Sequence, residues 1–438
     1  MNGQMRPTSS YVPPPVTSIE DTGLSMLWLQ DLALKIIYFG GYLNGFQIAE
    51  RIALPFTGII EHILDNLKRE KFVEVRSQMG GLGEGAYQYA ITGAGIMRAR
   101  EALERSQYAG AAPVPIQEYN RAVLAQTRGH SRLVTPRAMR QALEGIILSQ
   151  KTFHQIGPAV NSGTSMFLYG PPGNGKTSIA RAIGEMTGSD SIYIPFAIYI
   201  DGQVVKMYDS VNHQIIEEAE KSGAGSSAQR TGSRRDPRWV QVRRPFIVVG
   251  GELTMEGLDL VFDDTNKFYE AAFQMKANGG LLLIDDFGRQ QVRPRDLLNR
   301  WIVPLENRID YLTLHTGRKV EVPFDVLVIF STNLPPKDLV DEAFLRRLRH
   351  KIEIGDPNYE EFREIFKQVS KDKGIQYDDQ GLAYLLQEWY IKPNRKLRAS
   401  HPRDICDQIL DISRYMSTEP TMDQEMLDRA AAAYFVDL

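Results

Sequence analysis

The stretch GPPGNGKTS, residues 170–178, fits the spacing G-x-x-x-x-G-K-[ST] and lies between the apolar run SMFLY and the helical pattern SIARAIGEM. Glycines let the backbone curl until several N–H groups and a helix N-terminus point to one place, which favours an anion. The spacing therefore predicts a phosphate site in which Lys176 meets the β- and γ-phosphates of a nucleotide and Thr177 binds Mg²⁺. A glycine turn with a solvated lysine is the alternative. The candidate binding residues are Gly170, Pro171, Pro172, Gly173, Asn174, Gly175, Lys176, Thr177 and Ser178.

The stretch LLLIDDFGR, residues 281–289, places Asp285 and Asp286 at the end of an apolar run. A short apolar run that follows two glycines is typical of a buried strand. Two adjacent negative charges there are costly without a partner, so they indicate a metal ion or an exposed strand tip. Beside a bound nucleotide, Asp285 would hold Mg²⁺ through water, and Asp286 would orient or deprotonate the attacking water. The alternative is a strand that turns polar where it leaves the core.

The composition excludes few functions but favours one compartment. The 438 residues contain 51 Lys and Arg against 54 Asp and Glu, a net charge of -3, which gives no overall attraction to nucleic acid or to an anionic membrane. The single cysteine, Cys406, rules out an internal disulfide framework and a cysteine-based zinc site and fits a reducing cytosol. Without a long apolar run or the apolar core of a signal peptide, we expect a cytoplasmic protein with no membrane insertion.

The region of residues 20–107 predicts three helices, two alternating strands around the glycine-rich MGGLGEG, and a fourth helix. Three helices with a β-hairpin resemble the winged-helix domain. Such domains often bind DNA through the third helix, whose first turns meet the bases. Here that helix carries Glu61 and Asp65 early, and the whole region holds more acidic than basic residues. We therefore expect contact with a protein ahead of contact with DNA.

From Leu133 onwards the chain resembles the AAA+ ATPases, with Asp285 at the Walker B position. VLVIFSTNLPP is similar to the sensor 1 strand, which implies that Asn333 helps to position the lytic water. DEAFLRRLRHKIEI is similar to the helix that carries arginine fingers, which implies that Arg347, with Arg346 beside it, completes a neighbouring subunit's site. SHPRDICDQILDISRY resembles the sensor 2 helix of the lid, with Arg403 near the phosphates. A polar strand end, a solvated arginine face and a surface ion pair are the respective alternatives.

The resemblance implies an α/β fold, in which a P-loop NTPase AAA+ core with a parallel sheet and a C-terminal helical lid follows a winged-helix (α+β) domain. It also implies ATP and Mg²⁺ as ligands and a homo-oligomer, in the form of a hexameric ring. Composition adds an extended linker at AAPVPIQEYN and a basic, mobile surface loop over residues 219–238. The expected segments are a disordered start (1–19), a winged-helix domain (20–108), a linker (109–132), an ATPase core (133–355) and a lid (356–438).

Two features of the sequence point to different subgroups of the AAA+ family. More than a hundred residues separate the phosphate loop from Asp285, a layout that looks like the MoxR, magnesium-chelatase and σ54-activator side of the family, whose inserts touch the substrate. The Asp-Asp ending resembles helicase loaders and transposition helpers instead. We weigh the overall layout above one residue.

Three functions remain open from the sequence. The first is an ATP-hydrolysing ring that remodels a protein client in the manner of a MoxR-like chaperone, or assembles a cofactor into it. The second is an ATP-switched DNA-binding regulator or transposition helper. The third is a nucleotide-binding scaffold with little turnover, since Asp286 is shorter than the usual glutamate. The second is favoured by basic residues in the third helix and the loop, namely Lys68, Arg69, Lys71, Arg230, Arg234, Arg235 and Arg238.

Overall fold

The computed structural model describes residues 11–78, 84–128, 134–188, 190–216, 235–339 and 342–435. Within these ranges, no helix combines the length and the apolar character that a membrane crossing requires.

The first unit packs four helices against a small antiparallel sheet. Its elements are α1 (Met26–Gly40), β1 (Leu43–Asn44), α2 (Gly45–Ile52), α3 (Glu61–Arg69), β2 (Val73–Gln78), β3 (Tyr87–Ile91) and α4 (Gly93–Arg105), with short 3₁₀ or π turns at Glu20–Thr22, Phe56–Ile60 and Glu84–Ala86. Strand β3 lies between β1 and β2. The third helix begins at Glu61, because Thr57 and Gly58 before it have non-helical backbone angles.

The expected disorder of residues 1–19 is wrong for residues 11–19, and residues 1–10 lie outside the described ranges. Val16 is buried in the core of the first unit. The Pro13 carbonyl accepts the backbone N–H of Asp236 at 3.3 Å. Burial of Val16 favours order, and the neighbouring prolines lose little conformational entropy when this segment is fixed.

The segment from β4 to β17 contains most of the remaining elements. They are β4 (Val114–Pro115), α5 (Ile116–Arg128), α6 (Pro136–Ala142), α7 (Gln150–Ser162), β5 (Ser165–Tyr169), α8 (Lys176–Thr187), β6 (Ser191–Pro195), β7 (Ala197–Ile200), β8 (Gln203–Lys206), β9 (Trp239–Arg243), β10 (Phe246–Val249), β11 (Val261–Asp263), β12 (Phe268–Glu270), α9 (Phe273–Lys276), β13 (Leu281–Ile284), α10 (Pro294–Asn307), β14 (Ile309–Thr313), β15 (Lys319–Pro323), β16 (Leu327–Thr332), α11 (Pro336–Leu339), α12 (Glu342–Arg347) and β17 (His350–Glu353).

The central sheet has five parallel strands in the order β10-β13-β16-β5-β17. All four residues of β13 and all six of β16 are buried, as expected for a parallel sheet covered on both faces. The adjacent strands β13, β16 and β5 bring their carboxyl ends to one edge, which is where open α/β sheets bind ligands. The predicted α/β fold with a parallel sheet is confirmed.

A second, mixed sheet in the order β11-β12-β8-β7-β4 is built largely from the long insert. The prediction of a linker over residues 109–132 is wrong for residues 114–128. Strand β4 pairs in parallel with β7, and α5 packs on the same layer. Tyr119 and Val123 lie one helical turn apart and are buried in the core of this sheet. Proline permits an edge strand here, and the apolar face of α5 then holds the segment in place.

The basic loop expected over residues 219–238 lies mostly outside the described ranges, but its last residues are not a mobile surface. Arg238 is fully buried. Its Nη2 lies 2.8 Å from a carboxylate oxygen of Asp236, and its Nη1 donates to the carbonyls of Thr22 at 2.7 Å and Pro113 at 3.3 Å. One buried guanidinium therefore ties the first unit to the second sheet.

The C-terminal region is a helical lid around its own apolar core. Its helices are α13 (Tyr359–Asp372), α14 (Asp379–Leu385), α15 (His401–Met416) and α16 (Gln424–Tyr434), with a π turn at Leu386–Ile391. Cys406 lies in this core, as a small buried residue should, and burial raises the pKa of its thiol to about 11. The thiol is therefore held neutral and unreactive.

Replacing Arg238 with methionine is expected to lower the free energy of unfolding by about 3–5 kcal/mol, because the Asp236 carboxylate would stay buried without its partner. Unfolding in urea measures the loss. The control is Arg235→Met, where the guanidinium lies 5.5 Å from the ring centroid of Tyr193 and the expected loss is about 1 kcal/mol. Equal losses in the two variants would contradict the buried joint.

Candidate active site

The phosphate loop leaves β5 and enters α8, as the sequence predicts. Its glycines adopt backbone angles that other residues avoid, with φ of 138° at Gly170, 79° at Gly173 and 82° at Gly175. A Cβ atom on Gly170 would lie 2.3 Å from the carbonyl oxygen of Ile354. The loop therefore needs glycine both to curl and to pack against the segment that follows β17.

Lys176 is enclosed by this loop, with only 6% of its surface exposed. Its ammonium group donates to the carbonyls of Gly170 at 2.9 Å and Pro171 at 2.8 Å. Burial lowers the pKa of Lys176, and the charges of Asp286 and Asp285 act in the opposite direction. A cation held by weak carbonyl partners in a recess is placed to exchange them for the stronger acceptors of a phosphate.

The rest of the loop divides into exposed and anchored residues. Pro172 and Ser178 are exposed. Asn174 is buried, and its amide donates to Asp356 Oδ1 at 2.8 Å. Asn174 therefore anchors the tip of the loop to the chain segment between β17 and α13.

Thr177 and Asp285 meet between the loop and the end of β13. The Thr177 hydroxyl lies 2.9 Å and 3.1 Å from the two carboxylate oxygens of Asp285. Hydroxyl and carboxylate oxygens are hard donors of the kind that Mg²⁺ takes together with water and substrate phosphates. These two residues therefore fit the ion that the sequence predicts there.

Asp286 and Asn333 meet at the ends of β13 and β16. The amide of Asn333 donates to Asp286 Oδ1 at 3.3 Å, and the Thr332 hydroxyl donates to the Phe287 carbonyl at 2.6 Å. Asp286 has a φ of 49°, a conformation that aspartate tolerates better than most side chains. The exposed carboxylate and the amide thus form one polar pair beside the phosphate loop.

The predicted arginine fingers lie on α12, which packs against α10. Arg347 Nε donates to Glu306 Oε1 of α10 at 2.5 Å, and Arg346 is exposed on the same short helix. The structure therefore places both arginines in the region where α12 contacts α10.

Two arginines of the lid matter here, Arg398, which lies beside the loop, and Arg403, which the sequence indicated. Arg403 lies in the first turn of α15 as expected, but its side chain is 65% exposed and donates to Asp404 at 3.1 Å. Arg398 pairs instead with Asp356, the residue that holds Asn174. Sequence analysis missed this pair because its members are 42 residues apart and match no motif.

Comparisons with known proteins agree with this geometry. Residues 166–356 match the family described as "ATPase family associated with various cellular activities (AAA)". This stretch is similar to an AAA ATPase domain, and residues 166–356 are called the AAA domain below. Residues 358–433 match a family described as a domain of unknown function, DUF8689, and fit a lid on the AAA domain. No curated protein matches the chain significantly.

Several solved structures show a distant likeness. NtrX from Brucella abortus is 16% identical over 75% of this chain, with a TM-score of 0.37, and the match spans 64% of the NtrX chain, less than two thirds of its length. RuvB from Thermotoga maritima, described as a Holliday junction branch migration motor, is 13% identical over 68% of this chain and 74% of its own, with a TM-score of 0.38. Similarity at this level carries no argument about function.

The AAA domain contains the phosphate loop, both aspartates, Asn333 and both arginines of α12, whereas Arg398 and Arg403 lie beyond the matched residues. The hydrogen bonds described above join Thr177 to Asp285 and Asp286 to Asn333. The catalytic and binding roles of these residues remain predictions.

A Gly170→Ala substitution in the AAA domain should destabilise the fold more than Gly175→Ala. Both positions have positive φ, which costs about 1–3 kcal/mol for alanine, but only at Gly170 would the new methyl group meet a backbone carbonyl, while at Gly175 nothing lies within 4 Å. Melting temperatures without nucleotide give the comparison. A Gly170→Ala protein as stable as Gly175→Ala would show that the loop does not pack against Ile354 as described.

Proposed function

We propose that the protein hydrolyses ATP with Mg²⁺ and uses the energy, as an oligomeric ring, to remodel or assemble a protein partner. The observation that carries the proposal is the meeting of an enclosed lysine, a hydroxyl–carboxylate pair and a carboxylate–amide pair at one edge of the central sheet. The residues are Lys176, Thr177, Asp285, Asp286 and Asn333.

Each of these residues has a role that its surroundings suit. Lys176 would release the carbonyls of Gly170 and Pro171 and bind the β- and γ-phosphates of ATP. Thr177 and Asp285 would hold Mg²⁺, which neutralises charge on the phosphates. Asp286 would accept a proton from the attacking water, while the Asn333 amide fixes the carboxylate.

The ring is proposed from the position of Arg347. An arginine supplied by a neighbouring subunit can stabilise charge on the transferred phosphoryl group. Arg347 suits this role because it lies on α12, outside the turn between β5 and α8 that forms the phosphate loop. Its partner Glu306 would orient the guanidinium before a neighbour arrives. A hexamer is the assembly that the AAA+ resemblance implies.

The first unit is proposed to be a winged-helix domain that contacts a protein. Its order of elements, three helices and a three-stranded antiparallel sheet with a further helix, supports the assignment. Three aromatic residues at the end of α1 and the start of α2, Phe39, Tyr42 and Phe46, are exposed. Aromatic residues are enriched in protein interfaces, so this patch favours a protein client.

The structure weakens the case for DNA as the partner. Of the four arginines that made the loop basic, Arg230 and Arg234 lie outside the described ranges, and Arg238 is fully buried in an ion pair. A buried guanidinium that already has a carboxylate partner is not available to a DNA phosphate. The exposed aromatic residues and the burial of Arg238 support a protein partner more than DNA. We therefore favour a role like that of a MoxR-like chaperone over DNA binding.

The Lys176→Ala variant should lose ATP binding, because the enclosed cation for the phosphates is gone. The Asp286→Asn variant should still bind ATP but release phosphate about 10²–10⁴ times more slowly, the usual contribution of a general base. Titration with ATP measures binding, and a phosphate-release assay measures turnover. The control is Asp264→Asn, because Asp264 is an exposed acid that directly follows β11 of the second sheet.

Unchanged phosphate release in Asp286→Asn would contradict the role of Asp286. Tight ATP binding with negligible release in the unaltered protein, across the conditions tested, would contradict hydrolysis and leave the nucleotide-binding scaffold as the better account.

A further inference from the structure

A cleft of about 350 Å³ lies in the first unit, against the outer face of α3. Helix α3 forms one wall, and the other wall is formed by the chain around the turn Glu20–Thr22 and by the start of α1. The volume is at the lower end of the range for small-molecule sites. All of the lining residues lie between positions 18 and 69, so none belongs to the candidate active site.

The second wall is held in place before any ligand binds. Asp21 Oδ2 accepts the backbone N–H groups of Thr17 and Ser18, each at 2.9 Å. The Thr22 carbonyl, in the same turn, accepts Arg238 Nη1 at 2.7 Å, which fastens the turn to the second sheet. A wall that is already fixed loses little conformational entropy when a ligand binds, so the cleft is preorganised.

Two opposite charges on the α3 wall do not neutralise each other. Asp65 and Arg69 both line the cleft and lie four residues apart on the helix, where side chains are neighbours. Among the residues that the structure describes, neither the carboxylate nor the guanidinium has an ion-pair or hydrogen-bond partner. Glu20 adds a carboxylate from the second wall. The cleft therefore offers negative and positive groups that are open to a ligand.

The rest of the lining is partly apolar. Ile19 and Met26 are half-buried, pack against the core of the first unit and line the cleft. The Asn66 amide nitrogen, between the two charged residues of α3, lies 3.8 Å from Met26 Sδ, which is a weak acceptor. An aliphatic group placed here would cover apolar surface that water now contacts.

This combination of groups selects among small ligands. A purely anionic ligand would meet the two carboxylates, and a purely cationic one would meet the guanidinium, so each would pay a repulsion that offsets its attraction. A ligand that carries an ammonium and a carboxylate a few atoms apart satisfies both signs at once. An aliphatic substituent on the same ligand suits the apolar part of the lining.

We propose that this cleft binds a free amino acid with an aliphatic side chain. Asp65 and Glu20 bind the ammonium group, and Arg69 binds the carboxylate through two parallel N–H donors. Ile19 and Met26 contact the side chain. The bound amino acid joins α3 to the turn that Arg238 fastens to the second sheet. Binding at this cleft requires neither ATP nor a protein partner.

Isothermal titration of L-leucine into the full chain, without nucleotide, tests the proposal. We expect saturable binding with one site per chain. Leucinamide, which lacks the carboxylate, and N-acetyl-leucine, which lacks the ammonium group, should each bind about tenfold more weakly or worse, because each loses one charge-assisted contact. The same two compounds stand for the first and the last residue of a peptide, so they separate a free amino acid from a chain end.

Two variants assign the two ends of the ligand. Arg69→Gln should weaken binding of leucine about tenfold but bind leucinamide no more weakly than the unaltered protein does. Asp65→Asn should weaken binding of leucine similarly but leave N-acetyl-leucine no weaker. The control is Lys68→Gln, since Lys68 is exposed on the same helix and does not line the cleft. Melting temperatures confirm that each variant folds.

No saturable binding of leucine by the folded, unaltered protein would overturn the proposal. Leucinamide that binds as tightly as leucine would make the cleft a cation site, and N-acetyl-leucine that binds as tightly would make it a carboxylate site. Equal losses in Lys68→Gln and Arg69→Gln would place the ligand elsewhere. Each of these results also overturns the proposal, and none of them bears on ATP hydrolysis.

Discussion

The pairing of β16 between β5 and β13 is the constraint on which the rest of the site depends. In this register Ile284 at the end of β13 lies beside Phe330, and Tyr169 at the end of β5 lies beside Thr332. The chain segments that follow these three strands must therefore leave the sheet at one edge. Residues 170, 285 and 333, which are far apart in sequence, become neighbours because each directly follows one of these three adjacent parallel strands.

The charged residues at this edge of the sheet compensate one another. Lys176 is nearly buried, and its neighbours Asp285 and Asp286 oppose the effect of burial on its pKa. A preorganised set of charges in a recess stabilises phosphate chemistry more than the same groups in water, because nothing must reorganise when the reaction occurs. The lid adds one ion pair beside the phosphate loop, between Arg398 and Asp356.

The sequence predicted the parts of the structure whose physics is local. The phosphate loop needs glycines at fixed spacing, and the buried strands β13 and β16 need continuous apolar runs, so both were found correctly. The prediction of a linker was wrong because it rested on prolines that are visible locally in the sequence. The sheet edge that β4 joins is formed by a strand more than eighty residues later. Arg238 was taken for a surface residue for the same reason, since its partners include Thr22, 216 residues earlier.

The measurement that tests the central claim most directly is phosphate release by an equal mixture of Lys176→Ala and Arg347→Ala proteins. Each variant alone should be nearly inactive, because one lacks the phosphate lysine and the other the arginine supplied to its neighbour. In a randomly mixed ring, about one quarter of the sites would combine an intact phosphate loop with a neighbour that retains Arg347. The account predicts that the mixture recovers activity toward this fraction. Mixed oligomers with no more activity than either variant alone would contradict it.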